Sequence, residues 1–361
     1  MNNDNIYMQL AIDKAWQYQG LTYPNPAVGA VVTHNNKILS IEAHQKAGNS
    51  HAEVLALVRA YEILSSTQIG FDIQDSHKSH SLLLSLPKDF FAGCCIFVTL
   101  EPCSHRGKTP SCASLLSSLS LDRVVIGLLD PIEGHGGGKD KLSNVTVGVL
   151  RDKCLELIEP FLIWQKKAFV LFKLAQTSNA KISTDKNSGY LSSKASLISV
   201  HQMRSVCDTL LIGGNTVRTD RPTLDCRFVE ANPPNIKIYS KEDNFDREIP
   251  LFKVSHREVN IVYSLEFLEI PSFIIVEGGE GMLNILKDKI DWILIYQTPK
   301  FSNNNLTYSS DIDLEFLHQE SKGVDLMLWS RMVKDNKSQK IQTKKEPFTC
   351  STVSQLRNEK N

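Results

Sequence analysis

Apolar runs in this chain stop at strand length. The stretch from Val124 to Leu129 is broken by Gly127, and no run is long enough to cross a bilayer. Between these runs lie helix-length segments with apolar residues three or four apart, so the pattern demands alternating strands and helices. Tyr7, Leu10, Ala11, Ala15 and Tyr18 recur at that spacing and predict a helix over 4–19, which "TYPNPAVG" ends with two prolines. "VGAVVT" and "KILSIEA", flanking His34, Asn35 and Asn36, predict a hairpin, and a helix follows from Ser50 to about Leu64. After "CIFVTL" come a short helix beyond Cys112, "RVVIGLL", the glycine cluster "EGHGGG" and "VTVGVL", with the third to fifth strands expected to be parallel. Residues 65–92 are rich in Ser and lack a sustained period; they read as an inserted loop over part of the cleft.

A second series begins after the helical segment 151–168, which holds Pro160. "FVLFKLA", a helix over 194–206, "DTLLIG", "NIKIYS", "VNIVY", "FIIVEGG", a helix over 281–288 and "WILIYQ" form a second α/β unit. At 361 residues the chain exceeds one typical core, which places a boundary near 160: a domain over 1–160 and another over 161–333. From 334 to 361 there are seven Lys or Arg against three acids and little periodicity, which predicts a disordered basic tail.

Forty basic residues balance forty acidic ones, so no global field draws the chain to nucleic acid or an anionic membrane, and any anion site must be local. Eight cysteines are too sparse for a disulfide scaffold and point to the reducing cytoplasm.

"SHAEV" has two readings. Ser50 and Glu53 have the spacing of a capping box, with reciprocal side-chain bonds at a helix start. Alternatively His51, Cys103 and Cys112 supply the imidazole and two thiolates of a zinc site with one open position. Glu53, beside that metal and unbound to it, would then carry a proton from activated water to a ring nitrogen and leaving amine. His51 and Glu53 are two residues apart, so His51 must lie where the chain joins the helix. Cys112 just precedes "ASLLSSL", so the thiolates approach a second helix start, where the dipole favours negative charge. His-x-Glu followed by Pro-Cys and a second Cys is the signature of zinc nucleobase deaminases, here with the second cysteine nine residues on. His105 is a rival ligand, and Cys94 and Cys95 read as core or free thiols.

"YPNPAVGAVV", "AHQKAGNSHAEV" and "TLEPCSHRGKTPSC" together resemble the deaminase half of the bifunctional riboflavin-biosynthesis deaminase/reductase family, and the resemblance continues to about residue 330. It implies an N-terminal cytidine-deaminase-like α/β/α sandwich and a C-terminal dihydrofolate-reductase-like α/β domain. It also implies zinc-dependent deamination of 2,5-diamino-6-(5-phosphoribosylamino)pyrimidin-4(3H)-one, then reduction of 5-amino-6-(5-phosphoribosylamino)uracil by NADPH. Asn25 and His44 would contact the pyrimidine or ribose, while His105, Lys108 and Thr109 would serve the sugar-phosphate end. Without the resemblance, Asn25 between prolines is a turn residue and Lys108 a solvated one.

In the second half, "GGNTVRTDRPTLDCR" resembles the family's reductase motif, although alone Asp220, Arg221 and Pro222 read as a turn. "FIIVEGGEGML" is a buried strand ending in glycines and opening a helix, which presents amide hydrogens to a phosphate. By resemblance, Gly279, Glu280, Gly281, Met282, Leu283, Asn284 and Ile285 cradle NADPH, with Ala175, Tyr190, Thr216, Asp220 and Ser240 completing the cofactor site. Ser188, Arg204, Leu224, Arg227 and Glu277 would hold the substrate. No G-x-G-x-x-G follows the first strand of this half, in keeping with a dihydrofolate-reductase-like unit. Where the family reads Ser-Leu-Asp-Gly-Lys, this chain has Thr177, Ser178, Asn179, Ala180 and Lys181. Lys173 and Lys181 survive, which favours an active reductase. The expected partner is a small phosphorylated pyrimidine, and the expected assembly a homo-oligomer. Two other readings remain: a zinc deaminase of another nucleobase, and a deaminase whose reductase-like half is inactive or regulatory.

Overall fold

A computed structural model describes residues 3–104, 109–134, 136–183 and 189–334. The first half runs α1 (Asn3–Trp16), β1 (Gly29–His34), β2 (Lys37–Ala43), α2 (Ala52–Ser65), α3 (Ser76–Ser85), β3 (Cys94–Leu100), α4 (Cys112–Ser118), β4 (Arg123–Leu128), β5 (Val145–Val147) and α5 (Arg151–Trp164). Its five-stranded sheet has the order β2-β1-β3-β4-β5, with β1 antiparallel to both neighbours and β3, β4 and β5 parallel as expected.

Both faces of this sheet are covered, because side chains alternate along each strand. Val31, Phe97 and Val125 face α1 and α5, whereas Ala30, Val32, Ile96, Val98, Val124 and Ile126 face α2, α3 and α4. The glycine that interrupts the apolar run of β4 has a packing reason. A Cβ on Gly127 would lie 2.3 Å from Cys154 Sγ of α5, so only glycine lets that helix approach.

The second half runs β6 (Ala168–Thr177), α6 (Lys194–Arg204), β7 (Thr209–Gly213), α7 (Gly214–Asp220), β8 (Asn235–Tyr239), β9 (Val259–Val262), β10 (Ser272–Glu277), α8 (Glu280–Leu286), β11 (Trp292–Thr298), β12 (Leu314–Lys322) and β13 (Asp325–Met332). They form an eight-stranded sheet of order β12-β13-β11-β6-β10-β7-β8-β9, parallel from β11 to β9 and closed at one edge by the antiparallel β12–β13 hairpin. Phe169, Leu171, Phe273, Ile275, Trp292 and Leu294 face the same core as α1 and α5, so the inner sides of the two sheets share one hydrophobic interior. Trp16 of α1 lies against Trp292 and Trp329 at 5.7 and 6.2 Å between ring centroids. Burial of each such side chain contributes on the order of 2–3 kcal/mol, an upper figure because unfolded chains already hide part of this surface.

Three elements differ from the sequence expectations. Residues 65–92 contain α3, capped by Asp75, whose side chain accepts the His77 and Lys78 N–H groups. Its inward positions are Ser76, Ser79, His80 and Leu83, so a helical period exists, but mostly in polar letters. Ser79 Oγ–H donates to the Ile73 carbonyl at 2.8 Å, which lets a serine sit inside. "GNTVRTD" is helix α7 rather than loop, and the β12–β13 hairpin was not foreseen, since "LEFLHQESK" is polar at an edge. Among the described residues, no helix is long and apolar enough to cross a membrane. The tail from 335 onward lies outside the described residues.

Candidate functional sites

The first site forms at the C-terminal ends of β3 and β4, where parallel strands open a crevice. His51 is the N-cap of α2, in extended conformation at φ −72° and ψ 162°, which frees its ring from the helix direction. Its Nδ1 lies 3.7 Å from Cys103 Sγ and 3.4 Å from Cys112 Sγ. One ligand atom from each of the three residues falls within 4.8 Å of the others. Cys112 is the first residue of α4, and its N–H donates to Cys103 Sγ at 3.3 Å, as expected for sulfur at a helix start.

The two thiols compete for a proton. Hydrogen bonding from Cys112 and His51 brings Cys103 down to about 4 against the opposing effect of burial, while the same contact and burial push Cys112 up. Two soft donors and an imidazole converging within 4.8 Å fit a zinc ion. Thr109 Oγ1 lies 3.2 Å from His51 Nε2, so its hydroxyl can accept that N–H and leave Nδ1 for the metal.

Glu53 is buried beside the ligands, and burial pushes its carboxyl up. The capping-box reading fails. Ser50 Oγ–H donates to the Ile73 carbonyl at 2.7 Å, and no side chain caps α2. Glu53 therefore faces a cavity of about 600 Å³, with Asn25, His44, His51, Cys103, Thr109 and Phe161 among its lining. None of the lining residues comes from 65–92, so that segment does not cover the cleft. It braces α2 from behind, where Ser50 N–H also donates to the Gln74 carbonyl at 3.0 Å.

His44 Nδ1 lies 3.1 Å from the Ser50 carbonyl, and its Nε2 lies 3.1 Å from Asn25 Nδ2. A carbonyl only accepts, so Nδ1 carries the proton and Nε2 accepts from the Asn25 amide. Burial and the neighbouring His51 bring His44 down to about 4, keeping it neutral. Asn25 Oδ1 is left as an acceptor for a ligand.

Sequence reasoning missed Glu101. Its carboxylate accepts the Asp130 N–H at 3.0 Å, the Gly137 N–H at 3.1 Å and the Lys139 N–H at 2.9 Å, folding the glycine-rich loop back over the site. Gly138 packs where a Cβ would meet the Pro102 carbonyl oxygen at 1.8 Å, so the glycine cluster serves close approach to the cysteine loop. The signal was in "TLEPC", but an acid before Pro-Cys does not announce its amide partners. His105 and Lys108 lie outside the described residues, as does Ser188 of the second site.

The second site lies along the C-terminal ends of β10, β7 and β8. Glu277 ends β10, with Lys173 Nζ at 3.0 Å and Arg204 Nη2 at 2.7 Å. Burial opposes its ionisation, but Arg204 and Lys173 outweigh it and bring the carboxyl down to about 2. Arg204 also reaches the Asp225 carbonyl at 3.3 Å, and Arg227 pairs with the Asp225 carboxylate at 2.8 Å. Leu224 is buried at φ 55°, and its carbonyl accepts from Arg257 at 2.6 Å. Arg257, isolated in the sequence, thus props the loop that bears Leu224 and Arg227.

Thr216 and Asp220 lie on α7, directly after β7, and burial pushes the Asp220 carboxyl up. Ser240 follows β8, its hydroxyl accepting from Arg218 at 3.3 Å. A Cβ on Gly279 or Gly281 would meet no heavy atom within 4 Å, so the start of α8 faces open space that a cofactor can enter. Glu280 is engaged by Ser309 and Ser310, while Met282 and Leu283 are buried in the core and could offer a ligand only backbone. Asn284 and Ile285 are on the exposed side of α8, Ala175 is in β6 opposite Tyr296, and Tyr190 is 57% exposed. The departures at 179 and 180 form an ordered turn. Asn179 accepts from Thr177 Oγ1 at 2.7 Å and the Ser302 N–H at 3.1 Å, and donates to the Ser302 carbonyl at 2.7 Å. An aspartate could not make that last bond.

Residues 1–128 match the cytidine and deoxycytidylate deaminase zinc-binding region, and residues 168–304 match the RibD C-terminal domain. The riboflavin biosynthesis protein RibD of Aquifex aeolicus is 30% identical over 359 residues, covering 88% of this chain and 93% of that protein. RibD of Mycobacterium tuberculosis strain H37Rv is 27% identical over 359 residues, covering 89% and 95%. A Thermotoga maritima structure described as a diaminohydroxyphosphoribosylaminopyrimidine deaminase/5-amino-6-(5-phosphoribosylamino)uracil reductase has a TM-score of 0.62 and 25% identity, over 92% of this chain and 99% of that one. Acinetobacter baumannii RibD shares the fold, with a TM-score of 0.61 and 21% identity over 92% of this chain and 99% of that one.

Proposed function

The chain belongs to the RibD family of riboflavin biosynthesis proteins, and we propose on that premise that residues 1–160 deaminate and residues 161–333 reduce one phosphoribosylated pyrimidine in succession. It is a bifunctional enzyme of the riboflavin pathway that uses zinc and NADPH. The first substrate is 2,5-diamino-6-(5-phosphoribosylamino)pyrimidin-4(3H)-one. The second is 5-amino-6-(5-phosphoribosylamino)uracil.

His51, Cys103 and Cys112 hold the zinc, which when bound supplies Lewis-acid activation of water. Glu53 would take one proton from the attacking water and give it to the ring nitrogen, then carry the second proton, from the hydroxyl so added, to the departing amine, so that ammonia leaves neutral. Asn25 Oδ1 accepts from the pyrimidine edge, and neutral His44 holds Asn25 in that orientation. Thr109 fixes the His51 ring. His105 and Lys108 serve the sugar-phosphate end.

When bound at the second site, NADPH would supply the hydride for reduction at ribose C1′. Lys173 and Arg204 keep Glu277 ionised, and its carboxylate accepts from the ribose hydroxyls. Ser188, Leu224 and Arg227 bound the substrate, while Ala175, Tyr190, Thr216, Asp220, Ser240 and residues 279–285 receive the cofactor. The protein's main contribution there is alignment of the two carbons. A cytoplasmic setting accords with the free thiols of the described cysteines, and a homo-oligomeric assembly is part of the proposal.

The observation that carries the reading is the convergence of His51, Cys103 and Cys112 beside buried Glu53. The test is Glu53→Gln. Zinc content and NADPH-dependent reduction of the deaminated substrate should persist while ammonia release falls by at least about 10²-fold. Ammonia release at the wild-type rate would overturn the role of Glu53.

A further inference from the structure

The cavity wall made by Pro24, Asn25 and Pro26 belongs to no helix or strand. Within its own half the loop is closed by Asn25 N–H to the Thr22 carbonyl at 2.8 Å, by the Thr22 hydroxyl to the Asn25 carbonyl at 2.9 Å, and by the Asn25–His44 contact. Its outer side is held by the second sheet and by the end of α5. Tyr23 O–H donates to Asp208 Oδ2 at 2.5 Å, and the same oxygen accepts the Phe273 N–H at 2.9 Å. The Tyr23 ring stands edge-on to Trp164 at 5.0 Å and tilts over Phe273 at 5.7 Å. Trp164 Nε1–H donates to the Pro24 carbonyl at 3.2 Å. Asp208 directly precedes β7 and Phe273 is in β10, so the loop is fastened to two neighbouring strands of the second sheet.

We infer that Tyr23 and Asp208 are positioning residues for deamination: an aspartate from the reductase half holds the loop that presents Asn25 to the substrate. The inference rests on the reading of this cavity as the pyrimidine site. A loop without ladder hydrogen bonds samples other conformations unless tied down. A bond to an ionised acceptor is the strongest single tie available to it. If the tie is cut, only a fraction of molecules present Asn25 correctly, and apparent substrate affinity falls by that fraction. The metal ligands and Glu53 lie on α2, α4 and the 101–104 loop, which Tyr23 does not touch, so turnover of bound substrate continues. The deaminase site is in this sense incomplete without the second sheet.

The experiment uses the full chain, measuring ammonia release and NADPH oxidation separately. Tyr23→Phe keeps the ring packing and removes only the hydroxyl. It should raise the deaminase KM about tenfold, the equivalent of one hydrogen bond to a charged group, with kcat, zinc content and reductase constants unchanged. Asp208→Ala should reproduce that KM. Asp208→Asn, which keeps an oxygen acceptor but not its charge, should bring KM part of the way back toward wild type, a rescue that a general loss of stability would not produce. Asn25→Ala is the reference and should raise the deaminase KM at least as far. If Asn25→Ala leaves KM unchanged, the reading of the cavity fails and the inference with it. If Asn25→Ala raises KM but Tyr23→Phe does not, or if Tyr23→Phe lowers kcat and zinc content instead, the positioning role alone is overturned.

Discussion

Around His51 acidic groups crowd one another, whereas around Glu277 a single acid is paired with cations. Cys103, Cys112 and Glu53 converge with one imidazole and, among the described residues, with no Lys or Arg paired to them, so the cluster asks for a cation from outside. Glu277 already has two cations, Lys173 at 3.0 Å and Arg204 at 2.7 Å, and its side chain is only 12% exposed. The first site is completed by its metal. The second is complete as a charge network before any ligand arrives, so the residues proposed to bind substrate there also hold β6, α6 and β10 together.

The largest expected effect follows from the first half of that contrast. Cys112→Ser should remove zinc and abolish deamination while NADPH-dependent reduction continues, as read by metal analysis and the paired assays. Full zinc content in this variant would mean that the ligand set is wrong.

Glu277→Gln probes the second half. Removing one partner from a buried ion cluster leaves Arg204 and Lys173 facing each other uncompensated, at a cost of about 3–5 kcal/mol, and reduction should fail with it. The acid response follows from the same pairing. The folded carboxyl, at about 2, is depressed from its ordinary 4.5, so its stabilisation is full above pH 4.5 and lost as pH falls toward 2. The loss is on the order of 3 kcal/mol. Denaturant midpoints of the wild type should therefore drop across that window more steeply than those of Glu277→Gln. Parallel curves would argue that the pairing does not persist in solution.

The smallest effect concerns the turn beside this network. Ala180 stands at φ 59°, a region that costs an L-residue about 1–2 kcal/mol, partly offset by the greater unfolded-state freedom of glycine. Ala180→Gly should raise Tm by roughly 1–3 °C with reductase constants unchanged, and a lower Tm would show that the alanine methyl is needed there.

Legibility in the sequence differed between the sites. His51, Glu53, Cys103 and Cys112 could be read because their chemistry restricts residue type and the secondary elements around them carry apolar periodicity. Glu277 could be located at a strand end, but its partner Arg204 lies 73 residues away, and no local pattern links them. Helix α3 was hidden because serines and a histidine occupy its inward face, and the bond that lets Ser79 sit inside, to the Ile73 carbonyl, lies outside the helix. Arg257 and Glu101 were invisible for a related reason: each acts through backbone groups of a distant loop, and any residue can supply a carbonyl or an N–H.

By itself the sequence determined the alternation of strands and helices, the metal-ligating residue types and the carboxylate proposed as proton carrier, because periodicity and donor chemistry are local properties. Only the tertiary structure decided that Ser50 turns away from Glu53, that Thr109 faces His51, and that Tyr23 meets an aspartate 185 residues further along. The last of these is set by how two sheets pack across a shared interior, and the first two by how the helices and the cysteine loop pack on the first sheet. Packing depends on side chains from the whole chain at once, so no single stretch of sequence carries it.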